Sequence, residues 1–520
     1  MPTQIEQALS QSLDNIGGSI VLNDYGGGLN TTASNELLRD NEAIIRKNWS
    51  NDEIGSLKKV NGYTKANSTT LGAKPIRGLF RVYLSNGTKQ FCAVCNGKFN
   101  YSDDDGATFT QESGAVALTE TEFNSGVNYY DLFFMTNTTN KLKVYTVGTT
   151  TLASAADMPT PGCKIILKRT DRRLLLLVNA GALTGSTLYY SKVDPTNAAD
   201  DWSAANDAGS IAIDGAGSEP LTGGMTFGSY DIIFKQYGAF QVWGYPSPQA
   251  IRLPGSPGCV APYSTAQGDG LGFHLAHDGV YMYDGNKFIK ISDPIKNIIA
   301  TFRSGYKVNA FGKYRDGFYW LHYTPNGATT NTKCLIYDVF HSSPYESRNI
   351  WYERDDLAMN CPCVFDGTGD DNQLFAGGSA SDGFVYQLDY SSTGADDTAN
   401  ITAIYQTKYF NAGTPHLVKR YPKVHIRYFL NKGILLINWY TNRGNTSGNF
   451  SISASQTGVA LGSFVLNTDT LAGTIEATYT ERLPDTAVGK DISLKFTHIN
   501  TGTAPIIRNV EIEWESLYIP

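Results

Sequence analysis

The chain has 520 residues and a net charge of −7, a balance that excludes a clamp gripping nucleic acid through clustered lysine and arginine. Its 52 glycines and 31 tyrosines against 6 methionines, with few long apolar periodic runs, read as mostly β, and the length suits two large modules plus an arm better than one core. The opening thirty residues carry Glu6 and Asp14 with no basic start, and no apolar run approaches the ~20 residues of a membrane span, so a soluble chain made in the cytosol, without membrane insertion, is expected. Seven cysteines, an odd number spread over the length, argue against a disulfide framework.

In chain order, residues 1–75 read as a helix followed by an extended arm. Thr3 and Glu6 form a capping box, and Ile5, Leu9 and Leu13 make an apolar stripe, which predicts a helix over 3–14. A twelve-residue helix is marginal alone and must dock, on its own propeller, a neighbouring subunit or a partner. From Asp24 to Tyr63 runs a Gly- and Asn-rich arm with Tyr25-Gly26-Gly27-Gly28-Leu29-Asn30, Leu37-Leu38-Arg39-Asp40-Asn41-Glu42-Ala43 and Asn48-Trp49. Its glycines lack the spacing of a phosphate loop. The arm precedes every repeat and has no period of its own. Its apolar residues Leu29, Leu37, Leu38 and Trp49, with Ile5, Leu9 and Leu13, are therefore candidate assembly contacts, and removal of residues 1–63 is expected to leave a folded β protein.

Residues 76–390 carry a recurring phrase of an apolar residue, an aromatic and a small polar residue. It runs through Tyr101, Tyr145, Tyr189-Tyr190, Trp243, Tyr281-Met282-Tyr283, Tyr337 and Tyr386. The first and last of these are six intervals apart at about 47 residues each, the length of a four-stranded blade, which predicts a β-propeller of six or seven blades. After a polar linker the period stops. Residues 398–520 alternate apolar and polar as half-buried antiparallel strands do, for example Val424-His425-Ile426-Arg427-Tyr428, and predict a β-sandwich. The fold class is thus all-β: propeller, N-terminal arm and C-terminal sandwich.

Motifs with chemical meaning are few. Ser102, Asp104, Gly106, Thr108 and Phe109 match the Asp-box pattern Ser-x-Asp-x-Gly-x-Thr-Phe. There a carboxylate and a hydroxyl bond the amides of a tight hairpin, glycine supplies an unusual φ and the aromatic packs inside. The same stretch nearly fits a calcium loop through Asp103, Asp105, Gly106 and Glu112, but Tyr101 takes the first ligand position. Cys92 and Cys95, like His274 and His277, sit three apart on strand-like runs and so face opposite ways, which spoils a metal pair. Cys361 and Cys363 share a face but lack a neighbouring histidine. The tripeptides Arg252-Leu253-Pro254 and Arg482-Leu483-Pro484 lie downstream of the Asp box, the reverse of the sialidase order. No cofactor, metal or catalytic set is expected.

Taken together, the residues resemble the tail nozzle, or head-completion and stabilisation, proteins of tailed bacteriophages. The likeness covers most of the chain and is carried by Gly26-Gly27-Gly28-Leu29-Asn30, Leu38-Arg39-Asp40-Asn41-Glu42-Ala43 with Asn48, and Gly55-Ser56-Leu57-Lys58-Lys59-Val60-Asn61-Gly62-Tyr63. It extends to Leu188-Tyr189-Tyr190-Ser191 with Trp202, Gly258-Cys259-Val260, Asp278-Gly279-Val280-Tyr281-Met282-Tyr283-Asp284 and Tyr409-Phe410-Asn411-Ala412-Gly413 with Lys419. Val60-Asn61-Gly62 stands where the family commonly carries Arg-Pro-Gly. The resemblance implies a non-enzymatic structural virion protein of the tail, assembled in the host cytoplasm. Copies would form a homo-oligomeric ring, a hexamer, below the portal and its adaptor, extending or gating the DNA exit channel, with DNA passing through the lumen without specific binding. Two other readings stay open: a carbohydrate-binding, receptor-recognising tail propeller using aromatic loops, and a sialidase-like glycosidase.

Overall fold

The computed structural model describes residues 17–51, 55–114, 116–146, 151–155, 163–178, 185–198, 200–215, 219–365, 372–390, 394–430, 432–454, 476–500 and 505–517. The helix expected over 3–14, with Ile5, Leu9 and Leu13, lies outside them. The chain divides into two compact units: residues 1–63, 348–354 and 389–520 make one, and residues 64–347 with 355–388 the other.

The second unit is a seven-bladed β-propeller. Blade one contains Ile76–Tyr83, Lys89–Cys95, Lys98–Ser102 and Thr110–Gln111; blade two Ser125–Tyr129, Leu132–Thr136, Lys143–Thr146 and Thr151–Ser154; blade three Cys163–Lys168, Leu174–Val178, Thr187–Tyr190 and Gly209–Ala212. Blade four has Gly223–Phe227, Tyr230–Lys235, Gly238–Trp243 and Gln249–Arg252, and blade five Ala266–Gly268, Leu271–Leu275, Val280–Tyr283 and Phe288–Lys290. Blades six and seven begin with the antiparallel triplets Phe311–Arg315, Phe318–Tyr323, Lys333–Ser343 and Met359–Phe365, Gln373–Gly378, Val385–Tyr390. The recurring aromatic phrase falls in the third strand of every blade, so its seven copies correspond to seven blades.

Each blade buries both faces against its neighbours, and its central strands are accordingly apolar throughout, as in the fully buried Leu174–Val178. Phe99, Phe133 and Tyr145 fill the joint between blades one and two, and Phe134, Val144 and Leu176 that between two and three. Cys92 faces the first of these joints, whereas Cys95 faces the opposite side, toward blade seven. The first strands of blades one to four adjoin in turn, as do those of blades five to seven, that of blade seven meets that of blade one, and the turn Pro262–Ser264 lies against the first strand of blade four. There Phe91 packs on Phe365 and Phe375, with ring centroids 4.6 and 5.2 Å away.

A segment N-terminal to blade one fastens the ring. The Ala66 amide donates to the Val385 carbonyl (2.8 Å), the Val385 amide to Asn67 Oδ1 (2.7 Å), and the Leu71 amide to the Gly383 carbonyl (3.0 Å). Residues 64–72 therefore belong to the propeller, ahead of the boundary expected at 76.

The first unit is a β-sandwich. One sheet holds Gly17–Leu22, Trp49–Ser50, Leu57–Lys59, Lys419–Arg420, Lys423–Phe429, Ala477–Arg482, Val488–Gly489 and Ile506–Ser516. The other includes Gly28–Leu29, Glu42–Lys47, Ala399–Thr407, Ile434–Thr441, Thr446–Ser453 and Ile492–Asn500. Their inner faces share a core of Leu22, Tyr25, Trp49, Leu57, Tyr405, Trp439, Phe496 and Ile512 among others.

This corrects the reading of residues 24–63 as a projecting arm, since the segment supplies strands to both sheets. Leu29, Leu38 and Trp49, expected at interfaces with other molecules, are 2%, 4% and 0% exposed within their own chain. Of the described candidates only Leu37 stands free, at 77% exposure. Burial of an indole removes a large apolar area from water, and this segment has no other core in which to place it.

Candidate functional site

The Asp box lies between the third and fourth strands of blade one. Ser102 Oγ donates to Asp104 Oδ1 (2.7 Å) and accepts the Gly106 amide (2.9 Å), while Asp104 accepts the Thr108 amide (2.9 Å) and hydroxyl. The Thr108 hydroxyl, before other contacts, draws the Asp104 carboxyl below its ordinary range. Gly106 sits at φ 98°, and a Cβ there would come within 3.0 Å of the Phe91 ring. Phe109 packs against the same ring at 5.9 Å. The chemistry of this cluster is that of a turn staple.

The carboxylates of the near calcium pattern are turned to separate partners. Asp103 accepts from Gln90 (2.8 Å), Asp105 pairs with Arg81 (2.7 Å), and Glu112 accepts the amides of Gly114 and Val116 (2.6 Å each). Among the described residues no group of three or more His, Cys, Asp or Glu side chains is placed to hold a metal. His274 is buried between Phe234 and Tyr281, and burial pushes its pKa down to about 3. All seven cysteines are free and buried. Burial raises the Cys92 and Cys361 thiols far out of the range of reactive nucleophiles. None of the seven tryptophans is exposed, whereas Tyr83, Tyr130, Tyr237 and Tyr345 are, so the aromatic faces open to solvent are those of tyrosines.

The phrases that carry the family resemblance prove to be packing positions. A Cβ on Gly27 would lie 2.4 Å from Asn41 Oδ1, and one on Gly62 only 1.6 Å from the Ala395 carbonyl oxygen. A Cβ on Gly28, which sits at φ 84°, would lie 3.0 Å from the backbone of Ile350 and Trp351. Asn48, at φ 57°, donates to the Thr402 carbonyl (2.8 Å) and accepts from Arg354 (3.0 Å), while its amide donates to the Glu353 carbonyl (2.8 Å). Arg46 is fully buried and donates to the carbonyls of Trp49 and Tyr25 (3.2 Å each). These contacts weave the 24–63 segment, the 348–354 strand and the C-terminal module into one unit.

At the propeller axis Phe123, Tyr263 and Phe311 form an aromatic plug. Tyr263 stacks on Phe311 at 5.0 Å, Phe123 meets both edge-on, and the Tyr263 hydroxyl donates to the Phe123 carbonyl (3.1 Å). Arg77 lies over Phe123 at 4.5 Å. Beside the plug a cavity of 430 Å³ is lined from blades one, two, three, five, six and seven, by residues including Leu79, Ser125, Ile165, Tyr263, Lys313 and Pro362. Sequence reading passed over this group because its members are scattered over the openings of six repeats. Only their shared position within the repeat marks them.

No family model matches the chain, and no curated protein matches it. Among solved structures it is similar to the computationally designed Ika8 protein, at 10% identity over 62% of this chain and 99% of that one, TM-score 0.39. It is also similar to YCF48 from Cyanidioschyzon merolae (9% identity, 63% and 98% covered, TM-score 0.38) and to YCF48 bound to D1 peptide (10%, 66% and 98%, TM-score 0.39).

Proposed function

We propose that the protein is a structural component of a tailed-phage virion, one copy of a six-membered ring that forms the tail nozzle below the portal and its adaptor and through which DNA leaves. The observation that carries this reading is that the resembling phrases are positions the fold cannot easily vary. Gly27, Gly28 and Gly62 admit no side chain without displacing backbone, and Asn48 joins Thr402, Glu353 and Arg354 from a left-handed φ. The likeness therefore rests on residues with individual structural tasks rather than on shared composition. The plugged propeller axis is consistent with it: the lumen in this reading is enclosed by several copies and not by a single propeller, and the net negative charge lets DNA slide past.

Native mass spectrometry and negative-stain imaging of the purified chain test the proposal. Closed six-membered rings support it. A monomer retained on a glycan array supports the carbohydrate reading instead, and turnover of a sialoside abolished by one carboxylate substitution supports the glycosidase.

A further inference from the structure

The axial cavity carries an inference independent of the nozzle reading. In a chain of net charge −7, the first strands of three blades each carry a cation, Arg77 on blade one, Lys164 on blade three and Lys313 on blade six, and Lys313 lines the cavity. Among the described residues none has a salt bridge, and the ammonium groups of Lys164 and Lys313 have no hydrogen-bond acceptor. Arg77 rests on the Phe123 ring and its Nε is buried without a partner. The carboxylate acting on both Arg77 and Lys164 is Glu122, which accepts the Thr138 hydroxyl (2.5 Å). Half-buried cations left unpaired cost stability unless an anion meets them.

The wall beside Lys313 suits an anion with an apolar body. Ser125 Oγ accepts the Ile166 amide (3.2 Å), which leaves its proton free to donate. Leu79, Ile165, Leu167 and Phe311 supply apolar surface, and 430 Å³ falls within the small-molecule range of about 300–1,000 Å³. Six blades contribute to the lining, so the site is rigid and already formed.

We propose that this cavity binds a small organic anion, a carboxylate or phosphate on an aromatic or branched apolar body, with the charge on Lys313 and Ser125 and the body against Leu79, Ile165 and Leu167. Isothermal titration of the full chain with benzoate, phenyl phosphate, inorganic phosphate and benzyl alcohol tests it. At least one of the two organic anions binds saturably, and which of them does so names the head group. Lys313→Met and Lys313→Gln each weaken that binding by at least about tenfold, and benzyl alcohol binds at least about tenfold more weakly than the anion. Near-ultraviolet circular dichroism matching the wild type certifies that the variants are folded, and a rise in melting temperature with the anion, lost in both variants, is the second readout. The proposal is overturned if neither organic anion saturates by about 10 mM. It is equally overturned if both Lys313 variants bind as the wild type does, or if inorganic phosphate binds as tightly as the organic anions.

Discussion

The two units of this chain weight local and distant strand pairing differently. In the propeller Phe91 pairs with Ser102, Phe134 with Val144 and Tyr319 with Tyr337, all within one blade. In the sandwich Gly17 pairs with Glu515, Lys58 with Ile506 and Ala43 with Thr407, close to the full length of the chain in the first case. Local pairing recurs and so leaves a period in the sequence. Distant pairing happens once and leaves none. The first kind needs only short loops to close, whereas the second waits for both ends of the chain and carries a larger loop-closure cost.

Removing residues 1–63 attacks the long-range unit most severely. The sandwich core then lacks Leu22, Tyr25, Trp49 and Leu57, and the C-terminal module is expected to unfold. Limited proteolysis should digest residues 389–520 while protecting the propeller. Survival of both units would show the segment to be dispensable. Trp49→Ala sharpens the same point, at an expected cost of about 3–5 kcal/mol in denaturant unfolding of the sandwich, because it leaves a cavity the size of an indole.

Acid separates the units in the other direction. Burial lowers His274 and His322 in the propeller from the ordinary 6.5 to about 3, and burial followed by the neighbouring Lys59 lowers His498 in the sandwich to about 4. An unfolded histidine takes a proton near 6.5 and these folded ones do not. Their stabilisation is complete above 6.5 and is lost as pH falls toward the folded values. By pH 4 each propeller histidine has forfeited about 3 kcal/mol. Calorimetry from pH 7 to 4 should show the propeller transition falling, and His322→Gln should flatten that fall. An unchanged slope in the variant would assign the acid sensitivity elsewhere.

Asp104→Ala is expected to cost the propeller about 1 kcal/mol, since the bonds it loses to Thr108 are solvent-exposed. The smallest effect belongs to Leu37→Asp, within about 0.5 kcal/mol in unfolding. If the ring proposal holds with Leu37 at a contact, this variant leaves melting unchanged yet shifts the native mass from ring toward monomer.

What could be read in advance follows the same division. The aromatic phrase marked the third strand of each blade because the same burial recurs there seven times. The Asp box was legible because its bonds span only four residues, Ser102 to Gly106 and Asp104 to Thr108. Glu42–Lys47 was not read as a strand: Arg46 and Lys47 look like surface residues until Tyr25 and Trp49 supply carbonyls to the first. The axial residues Arg77, Ser125, Lys164 and Lys313 were likewise hidden, since only ring closure brings blades one, two, three and six to one place.

The fastening of blade seven by residues 64–72 has a consequence for synthesis. Asn67 and Val385 are 318 residues apart. At about 5–20 residues per second, the ribosome delivers the second roughly fifteen to sixty seconds after the first. Through that interval the six earlier blades can form one by one as each emerges, while the stretch that will complete the ring waits with its amides in water. A chaperone that shields a single extended segment near the start of the chain, rather than one that encloses a whole subunit, matches that vulnerability.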